Sequence, residues 1–389
     1  MPLIGIKKFT QFGTPGITED EISAVSDVLR SGWLSTGNVS MQFEKEFESY
    51  TMSEHTAIAV NSCTMGIYLS LKAIGVGHGD EVILPPLTFC ATLNAVIATG
   101  ANPVLVDVKE DGQINEELVR KSITGKTKAI IPVDYTGSTC DFLLLSNIAK
   151  KNNIPIVEDA AHGFGGRYLM TTRKIGSMAD FACFSFYPNK NITSAEGGMV
   201  LVKDHLMANK LRSMSMNGLN TDSWNRYAKG NGYQVVTTGF KGNLPDVLAA
   251  IGLVQLRRWN KIHDKRLSIW REYEKNFGNK PMSHSTHLYT VLVNDRDLLR
   301  EQMKEKGVAV IAIHASNVNE NRLNDWVKKN GIPFPVGMIQ DDDEKTRFNW
   351  GIKSLPWLIL TNSKHVVTAE GFGFDELDNM IEETNNVAQ

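Results

Sequence analysis

The chain changes hydrophobic period more than once along its length. "ITEDEISAVSDVLRSG" sets Ile22, Val25 and Leu29 at helical spacing behind an acidic first turn and closes on Gly32, which predicts an amphipathic helix. From Thr56 onward, short apolar runs such as "TAIAV", "DEVILP", "NPVLVDV", "KAIIPVDY" and "IPIVEDA" alternate with helical stretches such as "MGIYLSLKAIG", "ATLNAVIATG" and "FLLLSNIAKKNN". That alternation predicts an α/β fold with a mainly parallel sheet and helices on both faces. Sheets of this kind hold ligands beyond the carboxyl ends of their strands. From about Gly242 the pattern becomes a long helical segment with Leu248, Ile251, Leu253 and Leu256 as an apolar stripe, expected to lead into a second, smaller domain.

Composition narrows the classes. The 389 residues are enough for about two domains and a large core. With 41 basic against 43 acidic residues the formal charge is −2, so there is no positive excess to drive binding to nucleic acid or to anionic membranes. "MPLIGIKKFTQFG" places its lysines after a very short apolar stretch, the reverse of a secretory signal, and no apolar run reaches membrane-spanning length. A cytoplasmic location is the expectation. Cys63, Cys90, Cys140 and Cys183 are too widely spaced for a disulfide framework or a zinc site, and no metal is expected. His284 and His287, in "HSTH", lack a third ligand type nearby and read as surface residues.

Four predicted strand ends could carry chemistry. "AIAVNSCTMG" passes from strand to helix through Ser62, Cys63 and Thr64, which suits either a phosphate at the helix N-terminus or ordinary N-capping. "IPIVEDAAHG" ends in Glu158 and Asp159, with His162 three residues on; the carboxylates could pair with Arg167 or hold a protonated ring nitrogen. The glycines at 163, 165 and 166 do not form a dinucleotide fingerprint. Phe89, after two prolines, is either a core aromatic or the face for a flat heterocycle. In "FSFYPNKNITSAEGGMV", Lys190 is either a solvated loop lysine or a reactive amine with small neighbours. Phosphate cradle, stacking ring, carboxylate and amine together form the set that pyridoxal phosphate requires.

From "GITEDEISAVSDVLRSGWLSTG" through "AVNSCTMGIYLSLKAIGVGHGDEVILPPLTFCATLNAV", "IVEDAAHGFGG", "FSFYPNKNITSAEGGMV" and "GFKGNLPDVLAAIGLVQL", roughly the first two-thirds of the chain resembles the DegT/StrS family of sugar aminotransferases. The resemblance implies the aspartate-aminotransferase-like fold (fold type I of pyridoxal-phosphate enzymes). It implies a large cofactor-binding domain over 1–255 with a seven-stranded-type sheet, and a smaller α/β domain over 256–389. By position, Lys190 matches the Schiff-base lysine, Asp159 the partner of the ring nitrogen and His162 a neighbour of the ring's phenolic oxygen. Phe89 matches the stacking ring, while Thr64, the backbone of Cys63 and Ser185 match phosphate contacts. Cys63 and Met65 are departures expected to crowd the phosphate turn. Asn243 resembles an asparagine lent by a neighbouring subunit, which implies a homodimer with a shared site.

The implied activity is transfer of an amino group from an amino acid, glutamate by expectation, to the keto group of a nucleotide-linked sugar, for amino-sugar and polysaccharide biosynthesis. Toward the end the pattern drifts. From about 316 to 389, including a Leu-Pro pair in "SLPW", the sequence looks thioredoxin-like but has no cysteine, so dithiol chemistry is excluded there. That departure motivates the alternative of a non-catalytic or regulatory protein that retains the cofactor fold and carries a C-terminal interaction module. A nicotinamide-dependent oxidoreductase rests only on the strand and helix alternation and the glycines near 163.

Overall fold

The computed structural model describes residues 14–221, 224–225, 232–278, 280, 284–291 and 293, together with two strands near the C-terminus. By internal contacts the chain divides into a unit of residues 1–292 and one of residues 293–389. In the first unit, helices α1 (Glu19–Ser31) and α2 (Asn38–Thr51) precede strands β1 (Thr56–Val60), β2 (Glu81–Leu84), β3 (Asn102–Leu105), β4 (Thr127–Ile130), β5 (Val157–Asp159), β6 (Phe181–Ser185) and β7 (Gly198–Val202), which alternate with helices from β1 to β5. They run side by side in the order β3-β2-β4-β5-β6-β7-β1, with β4 and β5 joined by the parallel bridges Ile130↔Ile156 and Val133↔Asp159. All neighbours are parallel except those of β7, which is antiparallel to both β6 and β1. The expected mainly parallel, seven-stranded sheet is therefore present.

One consequence fixes the site. Because β1, β2, β5 and β6 point the same way, their carboxyl ends meet at one edge, and reversed β7 begins there with Gly198. A Cβ at Gly198 would fall 2.7 Å from Cys63 N and from the Phe184 carbonyl, so only glycine lets the turn after β1 lie against the end of β6.

The sheet is covered on both faces, which is why its strands read as continuous apolar runs. Ala57, Ala59, Ala182, Phe184, Met199 and Leu201 face one core, where Phe43, Phe47, Phe164, Phe186 and Trp259 interlock. Ile58, Val60, Phe181, Cys183, Val200 and Val202 face the other, against helix α3 (Cys63–Ala73) and helix α4 (Cys90–Ala98). Phe43, Phe47, Phe184 and Phe186 are almost wholly buried, and each contributes roughly 2–3 kcal/mol by removal from water.

The first helix, Glu19–Ser31, forms as expected, but Ile22 (51%) and Leu29 (54%) stay exposed while Val28 and Glu21 are buried. The apolar stripe read from the sequence is thus not the face packed within this chain. Glu21 is the polar tie: it accepts hydrogen bonds from Thr18 N (2.8 Å), Thr18 Oγ1 (2.6 Å) and Gln255 Nε2 (2.7 Å), and an ion pair from Arg258. The long segment after Gly242 is two helices, Asp246–Arg257 and Trp259–Phe277, with Arg258 at the break. In the second unit, strand Leu358–Thr361 pairs antiparallel with Val367–Phe372.

Candidate active site

Asp159 is the last residue of β5 and is 5% exposed. Since successive strand side chains point to opposite faces, Asp159 and Glu158 go different ways. Asp159 Oδ2 accepts from Thr92 Oγ1 at 2.6 Å, and Oδ1 accepts from Ala161 N at 3.2 Å and lies 3.7 Å from Cys63 Sγ. The single hydroxyl proton of Thr92 is committed to this carboxylate, so Thr88 Oγ1, 2.7 Å from Thr92 Oγ1, must donate into it. Burial pushes the Asp159 carboxyl up, while the bonds from Thr92 and Ala161 and the charge of Lys190 pull it back toward the ionised form.

On the opposite face, Glu158 Oε2 accepts from Tyr168 Oη at 2.7 Å, and that hydroxyl accepts in turn from Gly176 N at 2.8 Å. Glu158 Oε1 and Asp134 Oδ2 are both buried without a hydrogen-bond partner among the described residues. Burial raises Glu158 to about 8 and raises Asp134 well above the usual carboxyl range, each helped by the neighbouring carboxylates. The alternative of a carboxylate paired with Arg167 is not what forms: Arg167 turns to the Thr172 carbonyl.

Lys190 lies in the loop that follows β6. The loop is closed on itself by Phe186 N to Gly197 O (2.9 Å), Ser194 N to Phe186 O (2.9 Å) and Thr193 Oγ1 to Phe186 O (2.9 Å). Asn191, the next residue, is 4% exposed and donates to both Phe164 O and Ser285 O at 2.8 Å. Lys190 Nζ has no hydrogen bond or ion pair among the described residues. Burial lowers its affinity for a proton, against the pull of Asp159 and Cys63. An amine so placed is easier to deprotonate than a surface lysine.

His162 is joined here by a residue that the sequence reading put on the surface. The rings of His162 and His287 lie 4.3 Å apart and tilted by 34°, and His287 Nδ1 meets Asn191 Oδ1 at 3.0 Å. His284 is likewise buried, at 8% exposure, against Trp270. Burial and the charge of Lys190 hold His162 down at about 3; burial lowers His284 to about 4 and pushes His287 strongly down as well. All three are neutral at physiological pH. His162 Nδ1 is buried with no partner among the described residues.

The remaining candidates are arranged around this centre. Ser62 caps α3 through Met65 N (3.1 Å), which leaves the Thr64 side chain exposed at the helix start. Cys63 Sγ turns inward to the Cys183 carbonyl (3.2 Å), and burial pushes its thiol well up, so it remains a neutral donor. Ser185 ends β6 opposite Gly198 and accepts from Tyr187 N at 3.4 Å. Phe89 caps α4 and is 76% exposed, so it is not a core aromatic. Asn243 pairs with Val60 at the end of β1 and donates to Thr36 Oγ1 at 2.5 Å, while its Oδ1 is buried and unpartnered among the described residues. The sequence reading missed Thr88, Thr92, Asn191 and His287; for Thr92 the only signal was a hydroxyl in the first turn of a mostly apolar helix.

Comparison with known proteins finds likenesses over most of the chain. The model of the DegT/DnrJ/EryC1/StrS aminotransferase family matches residues 15–329. The spore coat polysaccharide biosynthesis protein SpsC of Bacillus subtilis (strain 168) is 39% identical over 301 residues, 74% of this chain and 77% of that protein. Among solved structures, the PLP form of the sugar aminotransferase Spr1654 from Streptococcus pneumoniae, so described, is 32% identical, covering 84% of this chain and 88% of that one with a TM-score of 0.70. Helicobacter pylori PseC, an aminotransferase involved in the biosynthesis of pseudoaminic acid, is 26% identical, covering 86% and 90% with a TM-score of 0.71. The thioredoxin-like expectation for about 316–389 finds no support: the family pattern runs on to 329. Apart from the two C-terminal strands, that stretch, its Leu-Pro pair included, lies outside the described residues.

Proposed function

The chain belongs to the DegT/DnrJ/EryC1/StrS aminotransferase family, of fold type I, and from that premise we propose that it transfers an amino group from glutamate to the keto group of a nucleotide-linked sugar. The observation that carries this reading is the combination of a buried, hydrogen-bonded carboxylate at Asp159, ending β5, with an amine at Lys190, in the loop after neighbouring β6, that has no hydrogen bond or ion pair among the described residues and whose proton affinity burial lowers.

The residues fit pyridoxal phosphate. Phe89 offers an open ring face, Thr64 an exposed hydroxyl at the start of α3, and His162 a nitrogen with no partner among the described residues. When bound, the cofactor supplies an electron sink for the carbon that gains or loses the amine. Asp159 would hold the cofactor's ring nitrogen, with Thr92 and the Ala161 amide favouring the ionised carboxylate and aiming it. Thr64, Ser185 and the Cys63 backbone would take the phosphate, and Phe89 would cover the ring. Lys190 Nζ would attach the cofactor and then carry the proton between carbon and ring system, a task suited to an amine whose proton affinity burial has lowered. The neutral His162 and His287 stack would border the ring's phenolic oxygen without adding charge.

Asn243 would complete the site of a second copy. The exposed Ile17, Ile22, Leu29 and Leu34 give this chain an apolar surface to bury in such a homodimer. Among the described residues no helix is long and apolar enough to cross a membrane, and the proposed setting is cytoplasmic polysaccharide or amino-sugar synthesis. We retain the division into a cofactor-binding domain over 1–255 and a smaller one over 256–389 as part of the proposal.

The test is the first half-reaction. Purified protein reconstituted with pyridoxal phosphate should show a visible absorption band that glutamate discharges with formation of 2-oxoglutarate, and Lys190→Ala should lack both. A stable band that no amino acid discharges would point instead to a binding protein.

A further inference from the structure

A cavity of about 650 Å³ opens beside the Lys190 loop, walled on its far side by the helix Trp259–Phe277 and the segment 14–16. Arg258, Lys261 and Lys265 line it at helical spacings of three and four, and Arg266 joins them one residue beyond Lys265, a turn after the lining Ile262. With Lys190, five lining side chains are cationic, and none is acidic. Arg258 is answered by the buried Glu21. The others are not: Arg266 meets only the Thr286 carbonyl, at 3.2 Å, among the described residues, while Lys261 and Lys265 are exposed and have no ion pair there.

A solvated basic face is the ordinary reading of lysines on a helix, but it does not account for Arg266, whose guanidinium is desolvated enough to lose proton affinity. Nor does it account for the setting. A chain of formal charge −2 has gathered like charges in a concavity, where they repel one another and where low-dielectric walls focus their field. An incoming anion would relieve that repulsion. Guanidinium and ammonium donors converging from one helix match phosphate oxygens. The spread also selects among anions: Lys261 to Arg266 covers about 7 Å along the helix axis, which exceeds one carboxylate and suits two linked phosphates.

We propose that this cavity binds the diphosphate of the acceptor substrate, with Lys261, Lys265 and Arg266 as its ligands and the Lys190 loop as the wall toward the reacting sugar. The assignment rests on the reading of the acceptor as a nucleotide-linked sugar.

The experiment uses full-length, cofactor-loaded protein, so that the phosphate turn at Thr64 is already filled, and titrates inorganic pyrophosphate by calorimetry. Wild type should bind, with affinity falling as salt rises. Lys261→Ala/Lys265→Ala, two exposed positions whose loss does not threaten the core, should weaken binding about tenfold or more, and Arg266→Gln should do the same. Glutamate should not compete. Unchanged binding in the double variant, or displacement of pyrophosphate by glutamate, would overturn the assignment. Steady-state kinetics separate the two levels. Pyrophosphate binding without transfer to any nucleotide-linked keto sugar retains the site and removes the functional reading. Transfer whose KM ignores the double variant retains the function and removes the site.

Discussion

Thr92 Oγ1 donates to Asp159 Oδ2 at 2.6 Å and is itself braced by Thr88 at 2.7 Å, so the carboxylate at the centre of the site is held by a two-hydroxyl chain from the start of α4. A bond donated to the ionised form lowers a carboxyl pKa, and its loss must therefore raise Asp159 further. Thr92→Val should weaken pyridoxal phosphate binding about tenfold, the worth of one charge-assisted hydrogen bond, while Thr92→Ser should stay near wild type. Equilibrium dialysis, together with the Asp159 titration followed by carbon NMR in the apoprotein, checks both halves.

Asn191 makes three hydrogen bonds, two of them buried, that hold the residue after Lys190 between Phe164, Ser285 and His287. Asn191→Leu leaves all three partners unanswered and should cost about 2–4 kcal/mol in denaturant unfolding. The displaced lysine should lower kcat far more than it raises KM, since position and not substrate affinity is lost.

Stability should fall in alkali because of Glu158. Its folded pKa is raised to about 8 by burial, so the folded state binds its proton more tightly than the unfolded one, whose value is near 4.5. That contribution is present in full below the unfolded value and is lost as pH rises through the folded one. Thermal unfolding between pH 5 and pH 9 should show a Tm that declines, and Glu158→Gln should flatten the curve.

The sequence made the sheet and the chemistry of its edge legible because a polar residue ending an apolar strand is conspicuous: Asp159 is found this way, and Lys190 in the loop beyond the next such strand, whereas Ser185 came only from the family resemblance. It did not reveal partners that depend on folding across distance. His287 lies nearly a hundred positions from Asn191, and nothing in "HSTH" shows that its ring will stack on His162. The apolar stripe of the first helix was legible as a stripe but not as to what covers it: Glu21, tied to Gln255 and Arg258, faces inward while Ile22 and Leu29 stay out.

If that outward face is the dimer seam, charge should split it. Ile22→Glu/Leu29→Glu should shift sedimentation toward the monomer and reduce activity by separating Asn243 from the neighbouring site, with the far-UV spectrum unchanged. A variant that remains dimeric assigns the seam elsewhere.

The central claim concerns one nitrogen. Protein loaded with pyridoxal phosphate, reduced with borohydride, digested and mapped by mass spectrometry should carry a pyridoxyl group on the peptide containing Lys190 and on no other. A map with no such group, or with it on a different lysine, would contradict the account.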